Sequence, residues 1–198
     1  MSHYYTEKPK TASNERMLRY TFKGKSFKFK SDHSIFSKNH IDEATNLLIQ
    51  TLYVEPNRKK ALDLGCGYGI IGTVLASYYE MDVTLSDVNE RALHLAKQNL
   101  AFNQAKGNVI KSNGFESIDQ TFDLIVTNPP IRIGKKPLYD IFKQAYQHLN
   151  DDGTLWLVMH KKHGALSALK HFKMFSDPKV VLKKSGFHII SVKKALTT

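Results

Sequence analysis

The sequence predicts an α/β fold: a mostly parallel seven-stranded sheet, helices on both faces, and an antiparallel hairpin at its end. Three observations predict it. From Arg58 onward, apolar runs of strand length alternate with longer runs of helical period. The first strand leads into a glycine-rich turn, "LDLGCGYGIIG". The last two apolar runs, "KVVLKKSG" and "FHIISVKK", are joined by the short Ser185-Gly186 turn that suits a hairpin.

The elements follow in order. Residues 1–15 are polar and are expected to be a flexible N-terminus. "RMLRYTFKGKSFKFKSD" places Tyr20 and Phe22 before Gly24 and Phe27 and Phe29 after it, with lysines between, which predicts a small N-terminal β-hairpin. "SKNHIDEATNLLIQTL" carries Ile41, Ala44, Leu47, Leu48 and Leu52 at helical spacing and is closed by Pro56. Then come strand "KKALDLG", helix "IIGTVLASYY", strand "DVTLSD", helix "ERALHLAKQNLAFN", and strands "NVIKS" and "FDLIVTN". Helix "PLYDIFKQAYQHL", a turn and strand in "DDGTLWLVMH", helix "GALSALKHFKMF" and the final hairpin complete the chain, with Trp156 in the core. The 198 residues suit one domain over 16–198, with hairpin and helix at 16–56 and the core at 58–198.

Composition narrows the function. Hydrophobic residues make up 41%, enough for a core, but no run approaches the roughly 20 apolar residues of a membrane span. The start, "MSHYYTEKPK", has no apolar signal region. The single cysteine, Cys66, excludes an intrachain disulfide framework and a cysteine-based zinc site, so a cytoplasmic setting is expected. The nine histidines show no metal-binding spacing, and no metal is expected. The net charge is +11. It is concentrated at the ends: Glu15 and Asp32 are the only acids between Lys8 and Lys38, and Asp177 stands alone among nine lysines from Lys161 onward. A polyanion such as RNA is the expected partner.

In the glycine turn, Asp63, Gly65, Gly67 and Gly69 fall on alternate positions, and Asp87 follows at the end of the next strand. Glycines let the backbone turn sharply and approach a ligand, and the carboxylate after the second strand is placed for the hydroxyls of a ribose. Gly67, Gly69 and Gly72 also match dinucleotide spacing, but Asp63 would repel a pyrophosphate and can help to hold an ammonium. S-adenosylmethionine has an ammonium and no phosphate.

"LDLGCGYG" with "SDVN" resembles the core of the Rossmann-like S-adenosylmethionine-dependent methyltransferases, and "TNPPI" resembles the Asn-Pro-Pro signature of their amine-methylating branches. "DHSIFSKNHID", "KKHGALSALKHF" and "KSGFHIISVKK" resemble the catalytic half of the small-subunit ribosomal RNA guanine-N2 methyltransferase family, over roughly residues 17–194. Two-domain members of that family carry a degenerate copy in front; this chain resembles a stand-alone catalytic domain.

The resemblance implies S-adenosylmethionine as cofactor and ribosomal RNA or the small ribosomal subunit as partner. Its implied cofactor contacts are Asp63, Gly65, Cys66, Gly67, Gly69, Asp87, Val88, Ser112, Asn113 and Asn128, with Phe36 and Ser37 from the upstream segment. Ser37 and Asn39 are equally readable as helix caps. The catalytic run is Asn128, Pro129, Pro130 and Ile131. The prolines stiffen the backbone, so that the Asn128 oxygen and a carbonyl, that of Pro129, are aimed at an amine. Family members often have Phe or Tyr where this chain has Ile131, which leaves Phe36 as the candidate ring to stack on a base. Arg132, Lys135 and Lys136, with Lys25 and Lys28 of the hairpin, are the expected phosphate contacts, and the basic C-terminal region is expected to grip phosphates as well. Two other readings share parts of this pattern: a protein glutamine N-methyltransferase, and a non-catalytic RNA-binding module of the same fold. Monomer and dimer both remain open.

Overall fold

The computed structural model describes residues 15–32 and 40–196. Strands β1 (Glu15–Phe22) and β2 (Lys25–Asp32) form a hairpin, followed by helix α1 (Glu43–Thr51). Strand β3 (Lys60–Leu64), α2 (Ile70–Tyr78), β4 (Asp82–Asp87), α3 (Glu90–Phe102), β5 (Asn108–Lys111) and β6 (Phe122–Thr127) come next. The chain ends with α4 (Lys135–Gln147), β7 (Leu149–His160), α5 (Ala165–Phe172), β8 (Lys179–Lys184) and β9 (Phe187–Lys193). Short 3-10 turns occupy Ile131–Ile133 and Lys161–His163.

Seven strands form one sheet in the order β5-β4-β3-β6-β7-β9-β8. The first five are mutually parallel, and β9 runs antiparallel between β7 and β8, as the short Ser185-Gly186 turn requires. The chain order reverses at β3, so a crevice opens between β4 and β6 at the C-terminal ends of the strands. Side chains alternate between two cores. Ala61, Val83, Leu85, Leu124 and Val126 pack with α1, α2, α3 and the hairpin. Leu62, Leu64, Ile125, Leu155 and Leu157 pack on the other face, with Phe142 of α4 and Phe172 of α5. Trp156 is buried in the first of these cores, as expected.

The hairpin turns at Lys23-Gly24, both with positive φ (45° and 83°), the geometry that matches strand twist. Its aromatic side lies on α2, with Phe22 edge-on to Tyr78 at 4.9 Å. The edge of β2 is covered by two asparagines, Asn99 of α3 and Asn103 at its C-terminal cap. Asn99 donates to Lys30 O and accepts from Lys30 N–H, and Asn103 does the same with Lys28. Two amides thus substitute for a missing strand and blunt an exposed edge. Asp32 lies 3.8 Å from Arg91, so β2 runs antiparallel to α3, from its C-terminal cap to its first turn.

Two predicted boundaries move. Helix α1 begins at Glu43, because the Asp42 side chain accepts from Thr45 N–H at 2.9 Å and caps it there. It stops at Thr51, ahead of Pro56. Strand β7 begins at Leu149 instead of after the Asp-Asp-Gly turn; Asp152 adopts φ 62° within it, and the pairing with β6 slips between Phe122 and Leu124. No described helix is long and apolar enough to cross a membrane. No group of three or more His, Cys, Asp or Glu among the described residues is placed to hold a metal.

Candidate active site

The crevice is a cleft of about 410 Å³. Leu64, Gly65 and Gly67 of the glycine turn form its floor, and Ser86, Asp87 and Val88 at the end of β4 one wall. Ser112, Asn113 and Gly114 follow β5. Thr127, Asn128 and Pro130 follow β6, with Arg132, Ile133 and Ile141 beyond them and Asp42 facing them from the start of α1. Its size suits a drug-sized molecule.

The turn is built by side chain to backbone bonds. Gly65, Gly67 and Gly69 all have positive φ (70°, 53° and 84°), and the N–H groups of Gly65 and Cys66 both donate to Ser86 O at 2.9 Å. A Cβ at Gly65 would meet nothing within 4 Å, so the backbone there is open to a ligand. Asp87 accepts from Gly67 N–H and from Asn89 N–H, each at 2.9 Å. Burial holds its carboxyl above the ordinary range, while these backbone donors pull the other way.

Several expected contacts lie elsewhere. Asp63 is fully buried behind the turn, where Oδ2 accepts from Gly72 N–H at 2.7 Å and Oδ1 has no hydrogen-bond partner. Burial, reinforced by Asp87, pushes its pKa up to about 7 against the Gly72 bond. It reaches a ligand through its field, not by contact. Gly69 caps α2 and is packed against α3: a Cβ there would lie 2.9 Å from Ala96 Cβ. Cys66 faces a small void beside Thr45 and Tyr68, and burial raises its thiol well above the ordinary value, so it stays protonated and is no nucleophile.

Ser112 and Asn113 line the cleft, but their side chains are engaged locally: Ser112 Oγ donates to Gly114 O and accepts from Ser117 N–H, and Asn113 donates to Glu116. Pro129 is buried, and Ile131, in the 3-10 turn, does not line the cleft, so beyond β6 the apolar lining is Pro130, Ile133 and Ile141. Phe36 and Ser37 lie outside the described residues. Lys25 and Lys28 are not brought to the cleft. Lys28 sits beside Asn103, about 20 Å along α3 from the cleft at 1.5 Å per residue, and Lys25 donates to Ser77 O at the same far end.

Asn128 is held in one orientation. Its amide nitrogen donates to Asp42 Oδ2 at 3.1 Å and to Thr45 Oγ1 at 3.0 Å. A carboxylate can only accept, so the amide cannot be reversed, and Oδ1 is left as the free end. Thr45 Oγ1 in turn donates to Asp42 Oδ2 at 3.1 Å, so that one carboxylate oxygen gathers three donors. Thr127 Oγ1 donates to Leu64 O at 2.8 Å and ties the end of β6 to that of β3. Sequence reasoning missed Asp42 and Thr45; the only signal was the capping spacing of "DEAT".

The charges around the cleft suit S-adenosylmethionine better than a dinucleotide. Asp42, Asp63 and Asp87 surround the turn, and Arg132 is the one cation among the lining residues. An ammonium and a ribose diol match carboxylates; a pyrophosphate does not. The unpartnered Asp63 Oδ1 is a buried acceptor whose field favours a cation in the cleft.

Comparisons agree. The methyltransferase small domain family matches residues 26–191. Protein YbxB of Bacillus subtilis (strain 168) is 41% identical over 197 residues, 97% of this chain and 98% of the relative. Ribosomal RNA small subunit methyltransferase C of Actinobacillus pleuropneumoniae serotype 7 is 36% identical over 166 residues, 81% of this chain. The chain spans about half the length of that relative, 50%. Among solved structures, a 16S rRNA guanine-N2 methyltransferase of T. thermophilus, in complex with AdoMet and guanosine, superposes with a TM-score of 0.78 at 24% identity. That match covers 91% of this chain and 50% of the other, and shows a shared fold. A methyltransferase of Pyrococcus furiosus gives 0.65 at 24% identity, over 77% of this chain and 82% of that one. The chain therefore belongs to the methyltransferase small domain family of S-adenosylmethionine-dependent enzymes.

Proposed function

We propose that this chain methylates the exocyclic amine, N2, of a guanine in small-subunit ribosomal RNA. The observation that carries the reading is the anchored Asn128 amide, whose nitrogen is tied to Asp42 and Thr45 and whose oxygen is the free end beside the glycine turn. The relatives named as ribosomal RNA methyltransferases and the guanosine-bound neighbour support the choice of substrate.

S-adenosylmethionine supplies a methyl group on a sulfonium, so the leaving group is neutral and little acid or base strength is needed. The chain's task is position. An exocyclic amine is a poor nucleophile because its lone pair is delocalised into the ring. Asn128 Oδ1 accepts one amine hydrogen and the Pro129 carbonyl the other, which draws the nitrogen toward tetrahedral geometry. The same two oxygens stabilise the positive charge that develops on nitrogen. The surplus proton then leaves to water. Pro130, Ile133 and Ile141 hold the base edge in apolar surroundings.

Labelled methyl transfer to naked ribosomal RNA, to small-subunit particles and to protein, followed by nucleoside mass analysis, tests the reading. N2-methylguanosine is expected. Label found only on protein would sink the RNA assignment in favour of side-chain amide methylation. Asn128→Ala is expected to lower kcat at least a hundredfold, about 3 kcal/mol for a lost transition-state acceptor, with cofactor affinity unchanged.

A further inference from the structure

At the N-terminal edge of the sheet two cations share a pair of acids. Arg58 meets Glu55 and Asp152, and Lys193 meets the same two acids, at 2.6–3.5 Å. The C-terminal edge, where the cleft opens, is different. Thr127 pairs with Leu157, so β7 continues past the level of Thr127 for about 10 Å, at 3.3 Å per residue, to His160. Lys161 and Lys162 follow in the 3-10 turn. Phe187 pairs with both His160 and Lys184, which brings Lys183 and Lys184 back to the same end, and Lys161 N–H donates to Gly186 O at 2.8 Å. Burial lowers the pKa of His188 from its ordinary value, and the nearby Lys183, His160 and Lys161 lower it further.

All four lysines are exposed, and none makes an ion pair with a described residue. The sequence from His160 to Ser176 and from Lys183 to the end contains no Asp or Glu. This cluster stands one to three strands, about 5–14 Å sideways, from Asn128, at roughly 4.8 Å per strand. Arg132, exposed, lines the cleft itself.

We propose that this end of the sheet is an RNA-binding surface. On it Lys161, Lys162, Lys183 and Lys184 take the backbone phosphates that flank the base presented to Asn128. The inference rests on the RNA reading above and narrows the expected grip to this part of the C-terminal region, leaving out the hairpin, whose Lys25 and Lys28 lie at the far end of α3. Cations held together without counter-charges repel one another, and a polyanion relieves that repulsion while releasing its own counterions. Phosphate contacts of this kind set register and leave sequence to the cleft.

The test replaces all four lysines by alanine in the full chain and measures binding to in-vitro transcribed small-subunit ribosomal RNA over a salt series. Each lost phosphate contact lowers the slope of log K against log salt by about 0.7–0.9, so a fall of about 3–4 is expected for the four lysines. Affinity is expected to fall at least tenfold at 0.15 M salt, with S-adenosylhomocysteine binding unchanged. Arg19→Ala with Lys28→Ala, on the hairpin, is expected to change the slope by less than one. A quadruple variant with the wild-type slope, or a hairpin variant with the larger drop, overturns the proposal. If the wild-type chain binds and methylates only protein, the RNA reading itself has failed, and that outcome is seen before any variant is made.

Discussion

The anchoring of Asn128 can be separated from every other role of its partners. Asp42 does two jobs: it caps α1 through Thr45 N–H, and it accepts from the Asn128 amide. Serine caps a helix as well as aspartate but is one atom shorter and uncharged. Asp42→Ser therefore keeps the helix and drops the anchor. A hydrogen bond to a charged acceptor contributes about 1.5–3 kcal/mol, which converts to roughly a ten- to hundredfold fall in kcat if the amide must then be oriented at each turnover. Thr45→Val removes a neutral acceptor at 3.0 Å with the same shape, for about 0.5–1.5 kcal/mol, or two- to tenfold. Thr45→Ser restores the hydroxyl and is expected to restore kcat. The assay is single-turnover methyl transfer at saturating RNA, with calorimetric S-adenosylhomocysteine binding and thermal melting in parallel. Cofactor affinity should stay within twofold in Thr45→Val, which leaves every carboxylate around the cleft in place, and stability within about 1 kcal/mol in both variants. Wild-type kcat in Asp42→Ser, or losses in kcat that follow losses in stability, would refute the anchor.

Two further outcomes are expected. Asp63 has its folded pKa raised to about 7, so between roughly pH 4 and 7 the folded chain binds a proton that the unfolded chain has released. Its contribution is thus greatest at low pH and is lost as pH rises toward 7. Urea unfolding should show Asp63→Asn gaining on wild type across that range, and S-adenosylhomocysteine affinity should rise from pH 5.5 to 7 in wild type alone; parallel profiles would exclude the assignment. Gly69→Ala forces a side chain into left-handed backbone (φ 84°) and against Ala96, and should cost about 1–3 kcal/mol by chemical denaturation.

What was legible in the sequence was local. Strand and helix periods, the glycine turn and the Asn-Pro-Pro run are patterns of adjacent residues, and the structure keeps them in the predicted order. What was not legible was pairing across distance. Asn128 meets its anchors 86 and 83 residues upstream, and nothing in the spacing of "DEAT" announces it. Asp63 was read as a ligand contact because motif position shows proximity in the chain; that its side chain turns behind the sheet toward Gly72 follows from strand alternation, with Leu62 and Leu64 on the opposite face. Lysine counts identified the basic ends, but only the register of β7, β8 and β9 shows which lysines face the cleft end.

Ile131 links the chemistry to that charged edge. Where the amine-methylating type that this chain resembles often stacks an aromatic ring on the base, the residue after its prolines is Ile131, which does not line the cleft, and no aromatic side chain of the described residues lines it. Stacking on an aromatic ring is worth about 1–3 kcal/mol per base, and an aliphatic wall of Ile133 and Ile141 recovers only the apolar part. A base drawn out of its stack must still be held long enough for transfer. Whatever the base contributes, the backbone that carries it adds a share of its own. The unpaired lysines beside the cleft are placed to provide it, and substrate affinity should accordingly depend more on salt than on the identity of the flanking bases.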